Sequence, residues 1–167
     1  TPYIINNKIV KTSIIKSYIL NGDIINANKY LGRNYTFKGK VVLGKKIATS
    51  MGYPTANIQI NRTEQLIPKN GVYSVNLSVD GLSKTGICNI GNKPTFGFNE
   101  RTIEVHLLYE DINIYDKTVS LEFNYFIRDE KKFENKTKLI EQIKLDINKV
   151  RNKETNCVEW KDKKRFW

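Results

Sequence analysis

One short run of residues restricts the fold of this chain more than any other feature of the sequence. The run "YSVNLSV" alternates apolar and polar residues, and its apolar members are Tyr73, Val75, Leu77 and Val79. In an extended chain successive side chains point to opposite faces, so these four residues lie on one side of a strand. The dipeptide Asp80–Gly81 follows at once and is typical of a two-residue hairpin turn. The segment therefore predicts a half-buried strand that turns back into an antiparallel neighbour.

Five further segments have the character of strands. They are "TFKGKVVLG" from residue 36, "PTANI" from residue 54, "SKTGICNIG" from residue 83, "TIEVHLLYE" from residue 102 and "KTVSLEFNYFI" from residue 117. Short links join them, which favours antiparallel pairing. Six antiparallel strands can avoid exposed edges by closing into a barrel, so we expect a mainly β protein of this kind.

Helical patterns flank the strands on both sides. Residues 12–31 predict two short helices, the first capped by Thr12 or Ser13 and the second by the Asp of "NGD". Near the C-terminus the apolar residues follow a helical period over about four turns after a capping residue, Asn135. These apolar residues are Leu139, Ile140, Ile143, Ile147 and Val150. The basic segment 152–167, which carries three aromatic residues, is either a short packed helix or a loose tail.

The net charge of +11 raises the question of nucleic-acid binding. The excess lies at the two ends: residues 1–40 carry seven basic residues and one acidic, and residues 151–167 carry six and three. The central residues 41–150, with fifteen basic and thirteen acidic, are nearly neutral. An RNA- or single-stranded-DNA-binding barrel remains the alternative class, but its basic groove is not indicated, and we expect no nucleic-acid partner.

The lengths of the apolar runs and the positions of the cysteines indicate the cellular compartment in which the protein works. The longest apolar runs are only a few residues, so we expect no membrane-spanning segment. The two cysteines, Cys88 and Cys157, are far apart in sequence and form no metal-ligand pair. They are interpreted as reduced thiols of a cytoplasmic protein, with a single disulfide as the less favoured alternative.

Three short segments carry residues suited to chemistry. In "GYPTANI" Thr55 and Asn57 are two apart, so an extended chain presents a hydroxyl and an amide on one face. The alternative is a solvated strand edge. The preceding loop, residues 44–52, contains lysines and hydroxyl residues between two glycines, which suits a phosphate-binding loop. Neither GxxxxGK[ST] nor GxGxxG is present, so the loop alone is a weak signal.

The other two segments supply a carboxylate and a set of flat side chains. In "TIEVHLL" Glu104 shares a strand face with His106, and a carboxylate on a strand could take a proton from a substrate hydroxyl. The alternative is a pair of residues that simply face solvent. In "IRDEKKF" the residues Arg128, Lys131 and Phe133 could stack on and hydrogen-bond a planar ligand. The alternative there is a charged entry to a helix.

Together these segments resemble the riboflavin kinase module found at the C-terminal end of bacterial bifunctional riboflavin kinase/FMN adenylyltransferases. The matching segments lie in the family's order and spacing across residues 38–150. They are "GKVVLG", "GYPTANI", "PKNGVY", "NIGNKPTFG", "TIEVHLL", "FIRDEKKF" and "LIEQIKLDI". The resemblance implies a six-stranded Greek-key β-barrel with a C-terminal helix, residues 36–151, preceded by short N-terminal helices. Residues 1–35 resemble the end of an adenylyltransferase domain, and residues 152–167 form a basic, aromatic extension.

The resemblance also implies an activity and a set of site residues. The implied reaction converts riboflavin and ATP into FMN and ADP, with Mg²⁺ and the ATP phosphates held by Thr55 and Asn57 and with Glu104 as the catalytic base. Arg128, Lys131 and Phe133 match positions that contact the flavin. Positions that line the nucleotide site are Gly44, Lys46, Leu107, Tyr109 and Tyr115, together with the Thr55 and Asn57 pair.

The sequence departs from the longer relatives in its first residues. Ser13 and Ile14 replace the Thr and Arg of the adenylyltransferases' ISSTRIR-like motif, and no HxGH-type motif is present. We therefore expect this chain not to make FAD. It is interpreted either as a kinase on its own or as a fragment joined to an N-terminal adenylyltransferase domain in a longer chain. Ala48, Thr49 and Tyr109 also differ from residues common in relatives.

Overall fold

Six strands close into a barrel in the computed structural model, which describes residues 4–5, 8–43, 52–60, 65–95, 98–109 and 114–163. The elements in chain order are β1 (Ile4–Ile5), β2 (Lys8–Ile9), α1 (Thr12–Leu20), α2 (Ile24–Leu31), β3 (Tyr35–Val42), β4 (Ala56–Ile58), β5 (Gly71–Val79), β6 (Leu82–Thr95), β7 (Phe98–Leu107), β8 (Thr118–Arg128) and α3 (Lys136–Lys163). The chain divides into two compact units, residues 1–130 and 131–167. β1 and β2 form a separate two-stranded sheet.

The barrel has the strand order β3-β4-β7-β6-β5-β8, and all of its strand pairs are antiparallel. β5, β6 and β7 pair in sequence, and β8 returns to lie beside β5, which is the Greek-key arrangement. β8 also pairs with β3 and so closes the barrel. The predicted six-stranded Greek-key barrel is confirmed.

The hairpin between β5 and β6 follows the sequence signal. Val79 pairs with Leu82, and the two residues between them, Asp80 and Gly81, have φ values of 49° and 79°. Two positive φ values define the turn type whose twist suits a two-residue hairpin. The four apolar residues of the alternating run are all buried in the barrel core, as predicted.

The N-terminal helices are held by side chains at their ends. Asp23 caps α2 by accepting a hydrogen bond from the backbone of Asn26 at 3.2 Å, as predicted. Asn28 then joins the helix to the barrel: its Nδ2 donates to the Phe123 carbonyl at 2.8 Å, and its Oδ1 accepts from the Tyr35 amide at 2.7 Å.

The predicted cap of α1 is wrong. The residue before the first helical turn is Lys11, in an extended conformation and with no capping bond from its side chain. The Lys11 carbonyl accepts hydrogen bonds from the amides of Ile14 and Ile15, so Thr12 is already the first helical residue. Thr12 and Ser13 therefore lie inside the first turn.

The second unit contains α3. Asn135 caps this helix by accepting from the Lys138 amide at 2.9 Å, as predicted. The helix has 28 residues, about twice the predicted length, and runs through most of the segment expected as a short helix or a tail. Residues 151–163 contain no Gly or Pro that would end a helix.

No helix within the described residues combines the length and apolar character needed to cross a membrane.

Candidate active site

The candidate site is built on the short strand β4. Asn57 and Ile58 pair with β3 on one side, and all three residues of β4 pair with β7 on the other. Ile58 belongs to the core and is 3% exposed, so the alternation of a strand places Asn57 on the outer surface of the barrel. Thr55 lies immediately before the strand, not within it as the sequence suggested. Pro54 has no amide hydrogen, so a regular ladder does not extend backward through this segment.

Glu104 lies directly opposite Asn57. The two residues are partners in the antiparallel register of β4 and β7, which brings their Cβ atoms to about 4.5–5.5 Å. The neighbours of Glu104 on its own strand, Ile103 and Val105, are each 1% exposed and belong to the core. Glu104 therefore faces outward from rigid backbone in an inner position of the sheet, and the predicted orientation of this strand is confirmed.

His106 joins β7 to the segment that leads into β4. Its Nδ1 lies 2.9 Å from the Pro54 carbonyl oxygen, which can only accept, so Nδ1 carries the hydrogen and donates it. The imidazole also packs edge-on against the Tyr53 ring, with the ring centroids 5.4 Å apart. The shared face of Glu104 and His106 was predictable from alternation, whereas the bond to Pro54 spans 52 residues and was not.

A third polar residue continues the line across the barrel. Asn89 of β6 is the register partner of Glu104 on the side away from Asn57. Its neighbours Cys88 and Ile90 are fully buried in the core, so Asn89 faces outward as well. We call Asn57, Glu104 and Asn89 the polar row. Sequence reasoning missed Asn89 because the alternation in "CNIGN" gives its face but not the strand beside which it lies.

The register partners that continue the polar row beyond Asn89 lead to the end of β8. Asn89 pairs with Val72 of β5, and Val72 pairs with Arg128. Beyond Arg128 the chain comes to the outer surface near Asn89. The Glu130 carboxylate lies so close to Gly91 that a Cβ there would collide with it, and it accepts a hydrogen bond from Asn70 at 3.3 Å.

Residues 66–70, which come immediately before β5, form a segment that we call the arch. Four successive carbonyls, those of residues 66–69, accept hydrogen bonds from side chains of β3, β5 and β7. Tyr35 Oη donates to the first carbonyl and Tyr73 Oη to the last, both at 2.5 Å. Arg101 donates to the two between them and, through Nε, to Asn70 Oδ1 at 3.0 Å. Burial lowers the pKa of Arg101 and raises that of Tyr73.

Cys88 lies beneath the polar row and is an unreactive core residue. It is a free thiol and fully buried. Burial raises the pKa of the Cys88 thiol, and the nearby Glu104 charge raises it further, so the thiol stays protonated at neutral pH. The side chain of Cys157 lies outside those that the structure describes.

The residues matched to a nucleotide site are only partly placed. Leu107 packs against the core, as its strand position predicts, and Tyr109 and Tyr115 are exposed. Gly44 and Lys46 lie outside the described residues, as does the rest of the loop before Gly52. The structure thus brings Asn57 and Glu104 together, with Thr55 two residues from Asn57 in the chain.

The flavin-side residues fall in both units. Arg128 ends β8, and its Nη1 donates to the Asp129 carbonyl at 3.0 Å. Lys131, which is exposed, and Phe133, which is half-buried, belong to the second unit. Their roles stay predictions.

Comparison with known proteins decides the family. The family model described as "Flavokinase: Riboflavin kinase" matches residues 31–153. The chain belongs to the riboflavin kinase family. The resemblance drawn from the motifs is confirmed, and the family region includes the whole barrel and the polar row.

The chain is also similar to curated enzymes. It is 41% identical to the bifunctional riboflavin kinase/FMN adenylyltransferase of Buchnera aphidicola subsp. Schizaphis graminum. That match covers 75% of this chain and 40% of the relative. The enzyme of the same name from Bacillus subtilis is 40% identical over 72% of this chain and 39% of its own length. The chain thus spans about two fifths of the length of these curated relatives.

A solved structure supports the fold over most of the chain. The crystal structure of a macrolide-efflux protein from Streptococcus pneumoniae superposes with a TM-score of 0.84 at 30% identity. The superposition covers 90% of this riboflavin kinase family member and 49% of the other chain.

Proposed function

We propose that this protein is a riboflavin kinase, which transfers the γ-phosphate of ATP to the terminal ribityl hydroxyl of riboflavin and gives FMN and ADP. The observation that carries the proposal is the direct pairing of Asn57 with Glu104 on the outer surface of the barrel. It sets a group able to contact phosphate beside a group able to accept a proton, on two paired strands. Membership of the riboflavin kinase family supplies the substrates.

Glu104 acts as the base in this reaction. It orients the terminal hydroxyl and accepts its proton as the hydroxyl oxygen bonds to the γ-phosphorus. The bond from that phosphorus to the β–γ bridging oxygen breaks, and ADP leaves with the electron pair. The proton then passes from Glu104 to solvent. Because Glu104 is fixed on a strand, no loop has to move to present the carboxylate.

Thr55 and Asn57 hold the phosphate side of the reaction, and both offer neutral oxygens. Mg²⁺ favours oxygen ligands and is usually bound through few protein groups together with substrate phosphates. The residues fit such an ion because the Thr55 hydroxyl and the Asn57 side-chain carbonyl are both oxygen donors, and they lie two residues apart in the chain. When bound, Mg²⁺ would neutralise charge on the phosphates.

The remaining assignments belong to the same proposal. Arg128, Lys131 and Phe133 contact the flavin, and the position of Arg128 at the end of β8, across Val72 from Asn89, supports this side for the acceptor. The residues that line the nucleotide site are Gly44, Lys46, Leu107, Tyr109 and Tyr115.

We also propose that this chain makes FMN but not FAD, and that it works in the cytoplasm. The first part rests on the replaced adenylyltransferase motif at Ser13 and Ile14. The free thiol of Cys88 supports the second. The likeness to bifunctional relatives supports an adenylyltransferase domain as a partner in a longer chain.

Mass spectrometry of the products formed from riboflavin and ATP with Mg²⁺ tests the proposal. FMN and ADP, with no FAD, are the expected products. FAD and pyrophosphate would contradict the proposed limit to the kinase reaction. If the folded protein formed no flavin product, the kinase assignment itself would be wrong. The control reaction omits Mg²⁺ and adds a chelator, and it should yield no FMN.

A further inference from the structure

Asn89 occupies the one position in the polar row that the reaction described above leaves without a role. It is the register partner of Glu104 on β7 and of Val72 on β5. Its side chain is partly exposed, whereas the residues before and after it in β6 are buried in the core. The amide is therefore held beside the proposed base on the outer surface of the barrel.

The order of residues along the polar row places Asn89 between the proposed base and the proposed flavin side. Asn57, on the proposed phosphate side, is one strand away from Glu104, and Asn89 is one strand away on the opposite side. Two strands beyond Asn89 lies Arg128, on the proposed flavin side. Neighbouring strands are about 4.8 Å apart, so an acceptor that reached from Arg128 to Glu104 would pass over Asn89 just before its reacting end.

The outer surface around Asn89 includes Gly91 and the chain that follows β8. Two residues along the same face is Gly91, which has no side chain. The Glu130 carboxylate fills that space, and a Cβ on Gly91 would lie 3.5 Å from Asn89 Nδ2. The chain leaving β8 after Arg128 thus borders Asn89 on one side, while Glu104 borders it on another.

The chemistry of the amide matches the chemistry of the acceptor there. A sugar-alcohol chain carries a hydroxyl on each of several successive carbons, and each hydroxyl both donates and accepts. An asparagine amide also does both, through Nδ2 and Oδ1. We propose that Asn89 hydrogen-bonds a ribityl hydroxyl one or two carbons from the one that is phosphorylated, and so helps to select an acceptor with a polyhydroxyl chain. This inference rests on the proposed riboflavin kinase function.

The test compares two proteins on three acceptors. Wild type and Asn89→Ala are assayed for kcat/KM with riboflavin, 4′-deoxyriboflavin and 3′-deoxyriboflavin, all of which keep the terminal hydroxyl. With riboflavin, Asn89→Ala should lose about 3- to 15-fold, the effect of one hydrogen bond to a neutral group. With the analogue that lacks the partner hydroxyl, the two proteins should be equally active.

Matched variants separate this effect from a loss of fold. Asn92→Ala changes an exposed asparagine three residues along the same strand, and its kcat/KM should stay within about twofold of wild type. Asn89→Leu keeps the approximate size of the amide without its hydrogen-bonding groups and should behave as Asn89→Ala does. It replaces Asn89→Ala in the comparison if that variant does not fold.

Two results would overturn the inference while the kinase assignment stands. In one, wild type makes FMN and Asn89→Ala is equally active with riboflavin. In the other, the Asn89 variants lose the same factor with riboflavin and with both deoxy analogues. Absence of FMN formation by the folded wild type is a different result, and it would overturn the proposed function and this inference together.

Discussion

At the scale of single residues, the two side chains that share the outer face of β7 are expected to differ sharply in importance. Glu104→Gln keeps a hydrogen-bond acceptor but cannot take the proton, so kcat should fall by about 10²–10⁴-fold with little change in riboflavin affinity. His106→Ala removes only the hydrogen bond to Pro54 and the packing on Tyr53, and kcat should fall by less than about tenfold. Steady-state kinetics and riboflavin titration measure both. A greater loss of kcat in His106→Ala than in Glu104→Gln would show that the histidine, and not the carboxylate, is the more important group in the reaction.

Thr55 and Asn57 give the second prediction at this scale. Thr55→Ala or Asn57→Ala each removes one oxygen from the proposed phosphate side, where a preorganised contact is worth about 3–4 kcal/mol in the transition state. Each variant should therefore lose about 10²–10³-fold in kcat/KM while its melting temperature stays near that of wild type. Gln59→Ala, an exposed neighbour beyond β4, is the control. Unchanged kcat/KM in either variant would remove that residue from the site.

At the scale of elements, the placement of β4 depends on a close approach by β3. A Cβ on Gly39 of β3 would lie 2.4 Å from Ile58 Cγ2 and 2.8 Å from the Gln59 carbonyl oxygen, so only glycine fits. Gly39→Ala should push β4 outward, separate Asn57 from Glu104, and lower both the melting temperature and kcat. Lys38→Ala, at an exposed position on the same strand, should change neither. Wild-type stability and turnover in Gly39→Ala would contradict this role for β3.

Some elements were predictable because their signals are local, and others were not. The "YSVNLSV" run, the Asp80–Gly81 turn and the Asp23 and Asn135 caps depend on residues within a few positions of one another, and the structure has them as predicted. The observed ends of β4 and α3 differ from the predicted ends. The end of a strand depends on the strands that pair with it, and a helix can continue beyond its apolar stripe.

The candidate site shows the same division between local and distant information. Alternation placed Glu104 and His106 on one face, but the pairing of Glu104 with Asn57 and Asn89 joins residues about 15 to 47 positions apart. No sequence period reports such a register. The family resemblance supplied the pair Asn57 and Glu104, and only the strand order added Asn89 and the bond from His106 to Pro54.

At the scale of the whole molecule, the arch and Arg101 connect strands that are distant in sequence. Arg101→Met leaves the carbonyls of Ile67 and Pro68 and the Asn70 side chain without this donor. The free energy of unfolding in urea should fall by about 1–3 kcal/mol, because partly buried acceptors lose a charged partner. Arg33→Lys, at an exposed arginine, should change it by less than about 0.5 kcal/mol. Equal stability of Arg101→Met and wild type would show that the arch does not depend on this guanidinium.

The central claim is that Asn57 and Glu104, paired across β4 and β7, act together on one transition state. A double-mutant cycle of kcat/KM with riboflavin and ATP tests it most directly, using Asn57→Ala, Glu104→Gln and the combined variant. When two residues act as a unit, kcat/KM of the combined variant falls by a much smaller factor than the product of the factors for the two single variants. We predict that the loss factor of the combined variant is smaller than that product by at least about tenfold. Losses that multiply fully would contradict the claim.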